Sequence, residues 1–429
     1  MFNRNLQLID VLLIYTFTFC FIIFLITNYK KAVIALSVFA VSLLFVKINL
    51  FSFGFVYYVL GLVAIIIGLY RFGLKKFIGN PLTWCLFLPF LSKLATMFFA
   101  NHYIPSTLLK TVVIYLMPVI LYLSLNSKRN IKYYVKCMKW YLLITVPYCF
   151  YEELTSSNPI MAWCTQHPDL FGWMTIRIEG TNLRFGLRRC QSLFGGEAAF
   201  ASVCIYFFFI IRKYQSNNYF EKKVFLLLTI AIPFCILFTG TRSAIIAFLI
   251  ACIGLLSFKR VKKNWYYYAI ALVVAFFMSS YLTAIYESII SSSTSDITGS
   301  NAEMRERQWE IGFYYLAQKP YFGNGMGFTA SLMANDEAGL LGAESMWLPL
   351  MMDQGIFGVI SIIASYIIVI IVILRKKMYS VLWLILSFLT FKTVTSVVGV
   401  SENYVVLVAV FLMRYKELQK KSTTHLSLT

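Results

Sequence analysis

The chain has 429 residues, 60% of them apolar or aromatic and 13% charged, with a mean hydropathy of +0.75. Soluble globular chains are about a quarter charged, so a water-soluble enzyme is excluded. With 10 Pro, 22 Gly and nine scattered Cys, collagen, disorder and a disulfide scaffold are excluded too. A net charge of +20 raises nucleic-acid binding as a question, which the placement of the charges must answer.

Apolar runs near the ~20 residues that span a bilayer recur throughout the chain. In order they cover 8–27, 32–46, 51–70, 82–99, 108–125, 137–151, 193–211, 224–239, 243–258, 265–285, 356–374, 381–397 and 404–413. Only helices or closed barrels cross lipid, and these runs are too long for barrel strands. The expectation is an all-α polytopic membrane protein with 12–13 transmembrane helices and two long outer-face loops. Its parts are N-terminal helices (1–151), a first outer loop (152–192), central helices (193–285), a large outer loop (286–345), and C-terminal helices with a tail (346–429). No small-residue cleavage site follows 8–27, which reads as a retained first helix.

The links between runs alternate in charge. Those at 30–31, 71–76, 128–139, 212–223, 259–263, 375–377 and 414–421 hold nineteen Lys and six Arg against two acids, Glu221 and Glu417. The opposite set holds fifteen acids and nine basic residues. This is the positive-inside pattern, with the basic links and the C-terminus in the cytoplasm. The positive charge is therefore a topology signal, and no nucleic-acid partner is needed to explain it.

Arg dominates the basic residues of the outer set: Arg177, Arg184, Arg188, Arg189, Arg242, Arg305 and Arg307, against Lys47 and Lys319. A topology signal needs only positive charge. Arg on the face where that signal disfavours it suggests a task for the guanidinium fork, such as bidentate phosphate binding; salt bridging to the outer acids is the other reading. Arg242 lies in Thr239-Gly-Thr-Arg-Ser-Ala, a minimal turn between apolar helices. Free N–H groups at that helix N-terminus also favour an anion; snorkelling to lipid headgroups is the alternative. Glu197 and Glu344 each stand near a helix start, where a carboxylate can cap the helix or serve as a base at the membrane surface. Lys93, Lys110 and Lys392 lie within or near apolar runs, where burial cost makes each a functional candidate. Gly323-Asn-Gly-Met-Gly327 reads as a turn rather than a dinucleotide loop. Three His without a close His/Cys cluster make a zinc site unexpected. Cys164 and Cys190 fall in the outer loop, where they could pair in an oxidising compartment.

The order of these motifs resembles the O-antigen polymerase and O-antigen ligase superfamily of bacterial envelope glycan assembly. Arg189-Cys-Gln-Ser-Leu-Phe-Gly-Gly-Glu197 is similar to that family's Arg-x-x-[GS]-x-Phe segment, and Thr241-Arg242-Ser243 to its Arg-bearing helix start. Arg305-Glu-Arg-Gln-Trp309, followed by Lys319-Pro-Tyr-Phe-Gly-Asn-Gly325, resembles its large-loop motif. Glu344-Ser-Met-Trp-Leu, with Gly355-Ile-Phe-Gly358, resembles the helix that closes that loop. Together the matches cover 184–358. In one departure, Glu344-Ser345 stands where ligases usually carry a His-Asn type pair, which favours the polymerase branch.

The resemblance implies a metal- and cofactor-independent glycosyltransferase of the bacterial inner membrane with a periplasmic active face. Its donor and acceptor are undecaprenyl-diphosphate-linked oligosaccharides, its surroundings membrane lipid, and a chain-length regulator is an expected partner. The expected catalytic residues are Arg189, Arg242, Arg305, Glu344 and Glu197. Arg184, Arg188, Arg307, Trp309 and Lys319 are expected to bind substrate. A ligase or related oligosaccharyltransferase is the nearer alternative, and a lipid-linked glycan flippase the more distant one.

Overall fold

The structure is a computed structural model. It describes residues 2–43, 56–100, 105–166, 183–184, 187–216, 218–255, 302–335, 340, 343–395 and 401–426. Within these the protein is all-α, with a single two-residue antiparallel ladder. The helices are α1 (Phe2–Thr27), α2 (Tyr29–Leu43), α3 (Val56–Phe72), α4 (Leu74–Ile78), α5 (Pro81–Phe99), α6 (Pro105–Ser124), α7 (Lys128–Thr155) and α8 (Pro159–Gln166). The ladder β1 (Leu183–Arg184) and β2 (Leu187–Arg188) precedes α9 (Glu197–Lys213), α10 (Tyr219–Phe238) and α11 (Arg242–Ile253). After these come α12 (Ala302–Gln318), α13 (Phe328–Asn335), α14 (Trp347–Arg375), α15 (Tyr379–Val394) and α16 (Ser401–Leu426).

Every expected apolar run but one overlaps one of these helices; 265–285 lies outside the described residues, as do 44–46, 51–55, 256–258 and 396–397 of the other runs. Among the described residues, Leu82–Phe99, Thr107–Ser124 and Trp347–Arg375 are long and apolar enough to cross a membrane. Shorter apolar helices lie at Val11–Thr27, Val56–Phe72, Arg242–Ile253 and Tyr379–Val394. Large side chains such as Leu13, Phe19, Ile66, Leu227, Leu249 and Ile360 point outward, an apolar surface that suits lipid and would aggregate in water.

Local chemistry explains the helix boundaries. Asn80 Oδ1 accepts from Leu82 N ahead of Pro81 at the first position of α5, and Ser127 Oγ accepts from Asn130 N at the start of α7. Asn218 accepts from Phe220 N and Glu221 N at the start of α10. Inside the bundle, hydroxyls of Thr18, Ser37, Thr111, Ser124 and Thr145 donate to the carbonyl one turn back, which satisfies them where no water is available. In α9 every residue from Phe200 to Ile211 is buried. A helix that is apolar all round belongs at a bundle centre, and α9 packs there against α10, α11 and α16.

Some elements run beyond their apolar signal. Helix α7 continues to Thr155, so Glu152 and Glu153 are helical residues. The large loop carries α12 and α13, and α16 extends well past 413. Helix α14 starts at Trp347 and is broken at Gly355, whose backbone is left-handed (φ 65°).

The segment Pro320–Gly325 straps this break. Ile356 N donates to Pro320 O (2.8 Å) and Phe357 N to Tyr321 O (3.2 Å). In return, Asn324 N donates to Met352 O (2.9 Å) and Gly325 N to Asp353 O (3.0 Å). The helix break would otherwise expose these backbone groups, and burying them unpaired is costly. The backbones meet so closely that a Cβ at Gly323 would lie 2.4 Å from the Asp353 carbonyl carbon. The glycine-rich turn expected at 323–327 is thus a backbone clasp on a broken helix. Phe322 stacks between Phe99 and Phe357, with ring centroids 4.4 and 5.0 Å away, tying the clasp to α5.

Candidate functional site

Arg189 leaves the β1–β2 ladder into a turn that α7 and α10 hold in place. Ser192 N donates to Glu152 Oε2 (2.8 Å) and Gln191 N to Glu152 Oε1 (3.4 Å). Ser192 Oγ donates to Thr145 O (2.9 Å), Asn158 Nδ2 to Ser192 O (3.0 Å), and Cys190 N to Phe238 O (2.8 Å). Ser192 takes a left-handed conformation (φ 52°), which turns the chain toward Gly196 and α9. The Arg189 guanidinium then pairs with Glu197, the first residue of α9. The thiols of Cys149, Cys190 and Cys235 lie side by side behind this turn. Cys164 is a separate, buried free thiol, so Cys190 has other sulfur neighbours than the expected one.

Arg242 begins α11 directly after the tight Thr239-Gly240-Thr241 turn, where Gly240 is left-handed (φ 59°). Its guanidinium lies within the electrostatic field of Arg305, Glu344 and Arg189. The next residue, Ser243, hydrogen-bonds through its hydroxyl to Thr395 just past α15.

Arg305 and Gln308 are one turn apart on α12 and face the segment before α14. Arg305 Nη2 donates to Glu344 Oε2 (3.1 Å), and Glu344 N donates to Gln308 Oε1 (3.4 Å). Gln308 is buried, and its amide nitrogen has no hydrogen-bond partner among the described residues. At the start of α14, Ser345 Oγ accepts from Trp347 N (3.2 Å), and the Glu344 carboxylate accepts from Arg305. Met346 N donates to Lys392 O (2.9 Å), and Trp347 Nε1 to Thr393 Oγ1 (3.1 Å). The end of α15 therefore joins the Glu344 segment to the helix that Arg242 starts.

The five expected catalytic residues come together at one end of the bundle, from four chain segments, as two Arg–Glu pairs with Arg242 in their shared field. The Arg189–Glu197 pair is largely buried; Arg305 and Glu344 are about a third exposed, at 35% and 39%. Such a set can hold an oxyanion on guanidinium forks beside a carboxylate able to accept a proton.

The expected substrate-binding residues are arranged differently. Arg307 is exposed on the face of α12 away from Arg305, and Lys319 is exposed just past the end of that helix. Trp309 packs on the small cluster of Leu340, Ala343, Leu348 and Met351. Arg184 and Arg188 pair in the ladder with Leu187 and Leu183, and their side chains lie outside the described residues.

Gln308, Glu152 and Thr395 were not among the expected site residues. Gln308 could have been found by helical spacing, three residues after Arg305. Glu152 carries no such signal, because its partners lie about 40 residues away.

Fold and site together define an all-α membrane protein with an arginine–glutamate centre at one end of its bundle. Residues 224–363, about a third of the chain, match the family model described as O-antigen ligase. Arg242, Arg305 and Glu344 lie within that match; Arg189 and Glu197 precede it. The match supports the O-antigen polymerase and ligase superfamily as a whole. No curated protein matches the chain.

Proposed function

We propose that this protein is a glycan polymerase that transfers a polyprenyl-diphosphate-linked oligosaccharide onto the next lipid-linked repeat unit, at the periplasmic face of the bacterial inner membrane. The observation that carries this reading is the convergence of Arg189, Arg242 and Arg305 with Glu344. The acceptor hydroxyl oxygen attacks the anomeric carbon of the donor. The bond from that carbon to the diphosphate oxygen breaks, and its electron pair leaves with the diphosphate. The hydroxyl proton passes to the Glu344 carboxylate. Negative charge grows on the diphosphate as the bond breaks, and arginine forks fixed against that charge stabilise the transition state more than the ground state. Binding the diphosphate requires Arg305 to exchange its contact with Glu344 for the phosphate oxygens, which frees the carboxylate as the substrate arrives.

Ligase activity is the second reading, and Glu344-Ser345 in place of the His-Asn type pair weighs against it. A flippase reading has its own support in the cavity that Lys93, Lys110, Lys392 and Asp353 line between α5, α6, α14 and α15, and in the broken helix α14. Purified protein and one lipid-linked repeat unit separate the three. A polymerase yields longer lipid-linked glycans and free isoprenoid diphosphate; no product without a separate acceptor points to a ligase. Movement of substrate across a vesicle membrane without new bonds overturns both.

A further inference from the structure

Gln308 is the buried member of the arginine–glutamate centre. It lies one turn beyond Arg305 on α12 and is 2% exposed, whereas the Arg305 and Glu344 side chains beside it are 35% and 39% exposed. A ring closes around it: Arg305 donates to the Glu344 carboxylate, Glu344 N donates to Gln308 Oε1, and α12 joins Arg305 to Gln308. The Glu344 N–H needs an acceptor, which fixes the carboxamide with its oxygen toward Glu344 and its nitrogen turned away from that N–H.

Nε2 is thus a buried donor with no hydrogen-bond partner among the described residues. Native structures leave few such groups, because an unmet buried donor is destabilising. The side chain also has little room to turn elsewhere. Gly312, one turn further along the same face of α12, approaches α14 so closely that a Cβ there would lie 2.7 Å from Leu348 Cδ2. An apolar side chain of the same length would fill the position without leaving a donor unmet. A donor already stripped of water and fixed in place is, in contrast, well suited to a charged acceptor that arrives later.

We propose that Gln308 is a further substrate-binding residue, whose Nε2–H donates to a phosphate oxygen of the isoprenoid diphosphate beside Arg305. Residues three apart on a helix present their side chains to one place, so the group that Arg305 holds is within reach of Gln308. When Arg305 exchanges Glu344 for phosphate oxygens, the ring opens on the side where the amide is buried. Arg189, Arg242 and Arg305 already share one field, and a neutral amide adds a donor there without adding to their mutual repulsion. A phosphate oxygen fits better than a sugar hydroxyl. Gln308 Oε1 is taken by Glu344 N–H, which leaves the amide to act as a donor, and a phosphate oxygen only accepts. That the anion is the carrier diphosphate rests on the proposed function; that Nε2 is kept for a ligand does not.

The test titrates radiolabelled farnesyl diphosphate, with uncharged farnesol as control, onto the full-length protein in maltoside detergent. Gln308→Met keeps the length of the side chain and removes its amide. Farnesyl diphosphate is expected to bind this variant at least tenfold more weakly than wild type, the scale of one hydrogen bond to a charged group. Farnesol binding should stay unchanged, and Arg305→Met should weaken farnesyl diphosphate in the same way. Without ligand, Gln308→Met should melt at or above wild type, because the unmet buried donor is gone. A clearly lower melting temperature makes Gln308 a brace for the Glu344 segment and overturns the proposal. Unchanged farnesyl diphosphate binding, or an equal loss for farnesol, overturns it as well. Binding is read without turnover, so the two readings fail separately. Wild-type protein that binds through Gln308 but does not polymerise refutes the proposed function and leaves this assignment standing, whereas no saturable wild-type binding overturns both.

Discussion

The Arg305 guanidinium lies 3.1 Å from the Glu344 carboxylate, joining α12 to the segment that opens α14. Either group alone is an ordinary surface charge. Together they form a contact that, on the proposed function, an incoming diphosphate must compete with, so each should affect binding and turnover differently. Glu344→Gln keeps the size and removes the basic oxygen. Turnover should fall at least a hundredfold while donor binding persists or tightens, because Arg305 is released from its counter-charge. Polymer length on gels and donor affinity check both arms; an unchanged ladder leaves Glu344 without a chemical role.

Arg242 shares the field of both Arg–Glu pairs. Arg242→Ala should lower turnover by roughly 10²–10³-fold, the usual loss for one preorganised donor. Arg242→Lys restores the charge without the fork, so only part of that loss should return. Full rescue by Lys would show that charge alone suffices there.

The turn carrying Arg189 hangs on Glu152, which is 1% exposed and accepts two backbone N–H groups. Glu152→Ala strips the acceptor from the buried Ser192 N–H, at about 1–3 kcal/mol, and from the half-buried Gln191 N–H, so thermal stability should drop clearly. Glu152→Gln keeps the volume and one acceptor and should melt closer to wild type. Both variants should lose kcat more than donor KM, as expected for a residue that positions Arg189. An unchanged kcat argues against that coupling.

Gly355 holds the break in α14. A Cβ there would sit 2.5 Å from Tyr321 O on a left-handed backbone. With ψ at −160° this is a conformation essentially restricted to glycine, so strain alone should cost about 1–3 kcal/mol, and the clash adds to it by pushing the clasp away. Gly196→Ala is the control, with open space around its Cβ and an extended backbone. Melting temperatures in detergent should separate the two variants, and Gly355→Ala should also lose activity as the Glu344 segment shifts.

Far from the site, Glu417 ties three helices together. It accepts from Lys376 Nζ (2.6 Å), Arg414 Nη1 (2.8 Å) and Tyr122 Oη (3.1 Å). Burial pushes its carboxyl up, but Lys376 and Arg414 outweigh that and hold it below the ordinary carboxylate range. A depressed pKa stabilises the fold above the unfolded value of about 4.3. That stability is lost as pH falls through the lower, folded value. Its worth is on the order of 1 kcal/mol for a partly exposed cluster. Unfolding scans between pH 7 and pH 3 should therefore show a smaller loss for Glu417→Gln than for wild type.

How much was legible in advance follows from the range of each signal. Apolar runs identify helices because crossing lipid requires local backbone hydrogen bonding. The run beginning at 356 still hid the break at Gly355 and an outer arm reaching back to Trp347, since Pro320–Gly325 completes that helix from elsewhere. The arginines at 189, 242 and 305 stood out by residue type, against lysines that serve topology. Lys93, Lys110 and Lys392 stood out singly by burial cost. Nothing in their spacing, across some 300 residues, places them around one cavity with Asp353.

By itself, then, the sequence determined the helical membrane class and the residues able to do anion and proton chemistry. Both depend on composition and local periodicity. Only the tertiary structure decided which charges meet. It paired Arg189 with Glu197 and Arg305 with Glu344, and separated Arg307 and Lys319 from them. The physical reason is that partner choice is set by helix packing and by backbone clasps such as 320–325 on Gly355, contacts made between segments far apart in the chain.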